Sequence, residues 1–152
     1  MEFFADRNLG RYDFPGRLRA AGITVHIHDD HFAQDEPDTS WLPQVAERGW
    51  LVLSADRVIT RNPFELAAVM LSGVGMFCLV GGMAKAEELA RNFVNTLPRV
   101  AEFVAGNRPA YVAKVYRPSP LGGIDRGVPG TVKLQMDYAA WRASRRSLGF
   151  RP

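Results

Sequence analysis

The chain has 152 residues, of which 47% are hydrophobic and 23% charged, with 19 Lys and Arg against 16 Asp and Glu. That length supports a single domain with a real hydrophobic core, and the composition excludes a disordered chain. No apolar run approaches the roughly 18 residues that span a bilayer, and no basic stretch leads into a signal-length apolar segment, so a cytoplasmic location is expected.

Residues 2–5 form a short apolar strand that ends at Asp6, and helix formers from Arg17 to Ala21 run up to a stop at Gly22. Ile23 to His28 alternates β-branched with polar residues, the period-two pattern of a strand, until Asp29-Asp30 breaks it. Asp38 or a near neighbour caps a helix whose apolar side carries Trp41, Leu42, Val45 and Ala46, closed by Gly49. Trp50 to Leu53 is a buried strand leading to Ser54-Ala55-Asp56. Asn62-Pro63 then opens a helix with Phe64, Leu66, Ala67, Met70 and Leu71.

Val74 to Val80 reads as a fourth buried strand, and within it the lone Cys78 reads as a small hydrophobe. The longest helical pattern runs from about Ala84 to Ala105, with Pro98 expected to kink or divide it. Tyr111 to Tyr116 alternates as a fifth strand, and Thr131 to Met136 follows as a sixth after a Gly- and Pro-rich loop from Pro118 to Pro129. Strands separated by helix-length segments imply right-handed crossovers and a mostly parallel sheet, hence an α/β fold. Residues 1–108 are expected to form the main domain. Residues 109–152 are expected to be a C-terminal extension packed on it, edge strands or a hairpin followed by a basic tail with Arg142, Arg145, Arg146 and Arg151. That tail suits a polyanion or is simply a solvated, partly disordered end.

In an open parallel sheet, ligands bind beyond the carboxyl ends of the strands, where chain order reverses. Asp6 ends the first strand, Asp56 ends the third and Asp38 opens the helix between the second and third, so one region receives all three carboxylates. Clustered carboxylates need water or a cation between them, and Mg²⁺ accepts a few such oxygens while keeping several waters. Each aspartate taken alone is equally a turn or helix cap.

The segments Phe3-Phe4-Ala5-Asp6-Arg7-Asn8-Leu9-Gly10, Leu18-Arg19-x-x-Gly22, Asp35-x-x-Asp38-x-x-Trp41 and Gly49-Trp50-Leu51-Val52-Leu53-Ser54-x-Asp56-Arg57 resemble the PIN-like domains related to VapC toxins. The resemblance covers roughly residues 1–80. It implies a three-layer sandwich and a metal-dependent RNA endonuclease, the toxin of a toxin–antitoxin pair restrained by a small antitoxin protein. It also implies that Asp6, Asp38 and Asp56 hold Mg²⁺ or Mn²⁺, and it suggests a homodimer. Many PIN domains carry a fourth acidic residue shortly after the third-strand aspartate; here Arg57, Arg61 and Asn62 stand there, with Glu65 a turn later. Asn8 is a candidate to orient a metal-bound water or a ligand carboxylate, and Arg57 or Arg61 to contact a phosphate.

Two other readings stand beside this one. His26 and His28 share a face if both lie on a strand, and with His31 they could bind a transition metal such as Zn²⁺. Alternatively, the scaffold binds RNA or a protein without cleaving.

Overall fold

A computed structural model describes residues 1–56, 58–81 and 84–147; Arg57 and Arg151 lie outside them. The strands are β1 (Phe3–Ala5), β2 (Val25–Ile27), β3 (Leu51–Ser54), β4 (Gly75–Leu79), β5 (Tyr111–Tyr116) and β6 (Thr131–Asp137). The helices are α1 (Asp13–Ala20), α2 (His28–His31), α3 (Asp38–Glu47), α4 (Pro63–Ser72), α5 (Ala86–Gly106) and α6 (Tyr138–Ser147). The strands form one sheet in the order β2-β1-β3-β4-β5-β6, parallel throughout except for the antiparallel β5–β6 pair.

Because successive strand residues point to opposite faces, the sheet builds two cores. Phe3, Ala5, Leu51, Leu53, Phe77 and Leu79 meet Phe14 and Leu18 of α1 and Phe93 and Val100 of α5. Phe4, Val52, Met76 and Cys78 meet Trp41, Leu42 and Val45 of α3, Val69 and Met70 of α4, and Trp141 of α6. The result is the expected three-layer α/β sandwich. Near-continuous burial of β1, β3 and β4 explains why they read as apolar runs rather than as alternating strands.

Several boundaries differ from the sequence reading. The first helix starts at Asp13, whose carboxylate accepts from Arg17 Nε at 2.6 Å one turn on. The second strand stops at Ile27, and His28–His31 turns into a short helix. α5 passes through Pro98 as one helix of 21 residues: Pro98 is exposed, so the carbonyl it leaves unpaired can be solvated.

β5 pairs parallel with β4 across the α5 crossover, so it completes a βαβ unit rather than opening an edge hairpin; the departure begins only at β6. Within the described residues the basic tail forms α6, which Trp141, 7% exposed, anchors in the second core. Among the described residues no helix is long and apolar enough to cross a membrane.

Candidate metal centre at the carboxyl end of the sheet

From β1 the chain leaves to β2 on one side and returns to β3 on the other, which makes the β1–β3 boundary the switch point of the sheet. Asp6 and Asp56 follow those two strands. The Asp6 N–H donates to the Leu53 carbonyl at 2.9 Å, fixing the two strand ends in register. Asp38 is the first residue of α3 rather than its cap: Pro37 takes the cap position, and the Asp38 carboxylate instead accepts from Trp41 Nε1 at 3.0 Å.

The Asp6 carboxyl is raised above the ordinary aspartate range, chiefly by burial, against a lowering backbone N–H bond from Arg7; the charges of Asp38 and Asp56 raise it further. The Glu65 carboxyl is also raised, by burial first, then by the charge of Asp56 and a hydrogen bond shared with it, then by Asp38 and Asp6. The structure thus brings together all three aspartates and adds Glu65 as a fourth carboxylate. Asn62 explains how it arrives: its side-chain oxygen accepts from the N–H groups of Phe64 and Glu65, at 3.1 and 3.2 Å, and sets Glu65 in the first turn of α4.

Asn8 ties the site together. Its Nδ2 donates to Ser54 Oγ at 3.0 Å and to Asp6 Oδ2 at 3.4 Å, and its Oδ1 accepts from the Ala55 N–H at 3.0 Å. Ser54 Oγ in turn accepts from the Asp56 N–H at 3.1 Å. Ser54, Trp41 and Arg7 stand in the segments that carry the resemblance but were given no role at the site by the sequence reading. The signal for Ser54 was a hydroxyl two residues before a strand-end aspartate; Arg7, which donates to the Gln34 carbonyl at 2.9 Å and lies 3.6 Å from Asp29, carried none. Arg61 is exposed and lines a groove of about 470 Å³ with Phe64 and Trp141, between the start of α4 and α6.

The histidines separate into two environments. The His26 ring stacks on Trp50 at 3.6 Å and its Nε2 faces Glu2 at 3.2 Å, with His31 against the same indole. The readiness of His31 to charge is lowered, by burial first and then by the charges of His26 and Arg48. His28 is buried among Phe4, Phe32 and Trp41, with Nδ1 3.7 Å from Asp29 Oδ1 and neither atom hydrogen-bonded. Its charge, when present, favours ionised Asp6. These packing roles match histidines that are surface or partly buried at a strand end rather than the alternative of a shared zinc face.

Among the described residues no three His, Cys, Asp or Glu side chains close into a ready metal shell. The donor chemistry at the carboxylate cluster nevertheless suits a hard divalent cation held through few protein oxygens and several waters, since burial and the neighbouring aspartate charges leave Asp6 and Glu65 short of counter-charge.

A family profile described as "PIN like domain" matches residues 1–81. The chain belongs to the PIN-like domain family. A protein of Mycobacterium tuberculosis described as "Putative ribonuclease VapC45" is 32% identical to this PIN-like domain over 102 residues, covering 64% of the chain and 74% of that protein. No solved structure matches the chain significantly. The matched residues contain Asp6, Asp38, Asp56 and Glu65, whereas β5, β6 and α6 lie beyond the family match.

Proposed function

We propose that this PIN-like domain is a divalent-metal-dependent endoribonuclease and the toxin of a toxin–antitoxin pair. The observation that carries the reading is the convergence of four carboxylates from β1, α3, β3 and α4 on the switch point, where the charges of Asp38 and Asp56 raise the proton affinity of Asp6, and those of all three aspartates raise that of Glu65. Kinship with a protein described as a VapC ribonuclease supports the choice of RNA.

Asp6, Asp38 and Asp56 hold Mg²⁺ or Mn²⁺ in this reading, and Glu65, hydrogen-bonded to Asp56, supplies the fourth carboxylate. When bound, the ion polarises a phosphoryl oxygen and lowers the pKa of the attacking water. Asn8 and Ser54 keep the Asp6 and Asp56 segments at fixed separation, and the Trp41 indole N–H holds the Asp38 carboxylate by a hydrogen bond. Arg61, and Arg57 from outside the described residues, are offered as phosphate contacts.

Incubating purified protein with single-stranded and structured RNAs tests the function: cleavage with Mn²⁺ or Mg²⁺ that stops on chelation is the expected result, and cleavage that persists in chelator overturns metal dependence. Asn8→Ala should lower activity by about 10–100-fold, as is usual for residues that orient metal ligands, and should speed hydrogen exchange at the Ala55 amide. A variant with faster exchange but full activity removes Asn8 from the site. The same reading implies a small antitoxin protein, a cytoplasmic setting and a homodimer; light scattering of purified protein checks the last.

A further inference from the structure

Across the β5–β6 ladder, Lys114 and Lys133 are register partners, and so are Tyr116 and Thr131. Directly opposed residues on antiparallel strands project to the same face, where like charges destabilise the pair. Here two lysines are directly opposed, and neither forms an ion pair with a described residue. The Lys133 ammonium instead lies over the Tyr116 ring, 5.7 Å from its centre. Lys133 is exposed, and Lys114 and Tyr116 are half-buried.

Position gives this arrangement its meaning. Lys114 to Tyr116 close β5 at the end of the sheet where Asp6 follows β1 and Asp56 follows β3. Lys114 and Asp56 flank the same buried thiol, Cys78, whose pKa burial pushes up to about 12, with Asp56 raising and Lys114 lowering it. Two strand spacings, about 10 Å, separate β3 from β5. An acidic cluster that repels phosphate therefore has, beside it, unpaired cations interleaved with an aromatic ring, the combination that holds a single strand by backbone charge and base stacking.

We propose that Lys114, Lys133 and Tyr116 form a binding strip for single-stranded RNA that leads its backbone to the carboxylate cluster. The strip rests on the nuclease reading for its substrate. It lies wholly outside the residues of the family match.

Binding of a fluorescein-labelled single-stranded RNA to the full chain in chelator, over a salt series, tests it without cleavage. Each neutralised phosphate contributes about 0.7 to the slope of log affinity against log salt for single strands. Lys114→Gln/Lys133→Gln should therefore reduce the slope by about 1.4 and leave the unfolding midpoint equal or higher. Exposed Lys133→Gln alone should remove about half of that change, which guards against a fold defect in the double variant. Tyr116→Ala should cost about tenfold in affinity, with Tyr116→Phe close to wild type.

An unchanged slope in both lysine variants overturns the strip. So does equal binding and equal lysine dependence with a duplex of the same sequence, or lysine-dependent binding of poly-glutamate without loss of RNA binding. Lysine-dependent RNA binding with no cleavage in any divalent cation overturns the nuclease reading and leaves the strip standing. Unaltered KM for cleavage in the double lysine variant does the reverse.

Discussion

Asp6→Asn and Asp56→Asn should each lower RNA cleavage by roughly 10²–10⁴-fold, the several kcal/mol that a correctly held cation contributes to a phosphoryl transition state, while making the metal-free protein harder to unfold. The second effect follows from the sign of the Asp6 shift. Its carboxyl is raised by burial and by Asp38 and Asp56, so the folded chain holds that proton more tightly than the unfolded chain does. The folded state is penalised in full above the raised pKa, and the penalty disappears as pH falls from there to the ordinary aspartate range. Metal-free wild type should gain stability on acidification through that window; Asp6→Asn should already have the gain at neutral pH and show a flatter profile.

A cation changes the comparison. At a concentration of 100 times its dissociation constant a ligand stabilises the folded state by about 2.7 kcal/mol, or roughly 5–10 °C for a domain of this size. Mn²⁺ should raise the midpoint of wild type by that amount and of Asp6→Asn by much less. Equal stabilisation of both proteins would place the ion elsewhere, and retained cleavage in either variant would end the assignment. The two readouts move in opposite directions, so a merely misfolded variant, inactive and less stable, cannot imitate the expected pattern.

The three aspartates were legible in the sequence because each stands at a boundary that local signals mark: an apolar run ending at Asp6, another ending shortly before Asp56, and a helix opening at Asp38. Glu65 was harder to place. Its distance along the chain from Asp56 separates it from a simple motif, and it joins the cluster only because Asn62 caps α4 at an orientation that a one-dimensional reading does not give. The end of the second strand was misplaced for a related reason. The alternation from Ile23 to His28 continues past the point where the backbone turns, and burial of His28 depends on Phe4, Phe32 and Trp41 from other parts of the chain.

The C-terminal region shows the same division between local and tertiary information. β5 was visible as an alternating run and β6 as a strand after the Gly- and Pro-rich loop, but whether β5 paired with β4 or with β6 alone depended on the direction of α5, and a proline in its middle argued for a break that did not occur. The tail carried four arginines and one tryptophan, and the arginines dominated its reading. Trp141 decides its structure, since an indole buried in the second core holds a helix that charge alone would leave in solvent.

Gly130→Ala should be the most destabilising single-methyl change in the β5–β6 region, at roughly 3–5 kcal/mol, lowering the unfolding midpoint by about 10 °C. The cause is steric rather than conformational. A Cβ at this position would overlap the backbone carbonyl oxygen of Tyr116 and crowd Asn92 Oδ1. Backbone cannot swing aside as a flexible side chain can. Gly130 is also where β6 is fastened to α5: its N–H donates to buried Thr96 Oγ1 at 2.9 Å, its carbonyl accepts from Arg99, and Asn92 Nδ2 donates to the Tyr116 carbonyl at 3.2 Å. Relieving the overlap requires the start of β6 to leave β5, which gives up buried hydrogen bonds that water cannot readily replace. Gly16→Ala is the matched control, since a methyl added there would meet nothing within 4 Å on the exposed side of α1; the change should stabilise by about 0.5–1 kcal/mol through helix propensity. Equal midpoints for the two variants would show that β6 is not locked at Gly130. If the lock holds, Gly130→Ala should also displace Lys133 from Lys114 and weaken single-stranded RNA binding, while Mn²⁺ stabilisation at Asp6 and Asp56, on the far side of β4, stays intact.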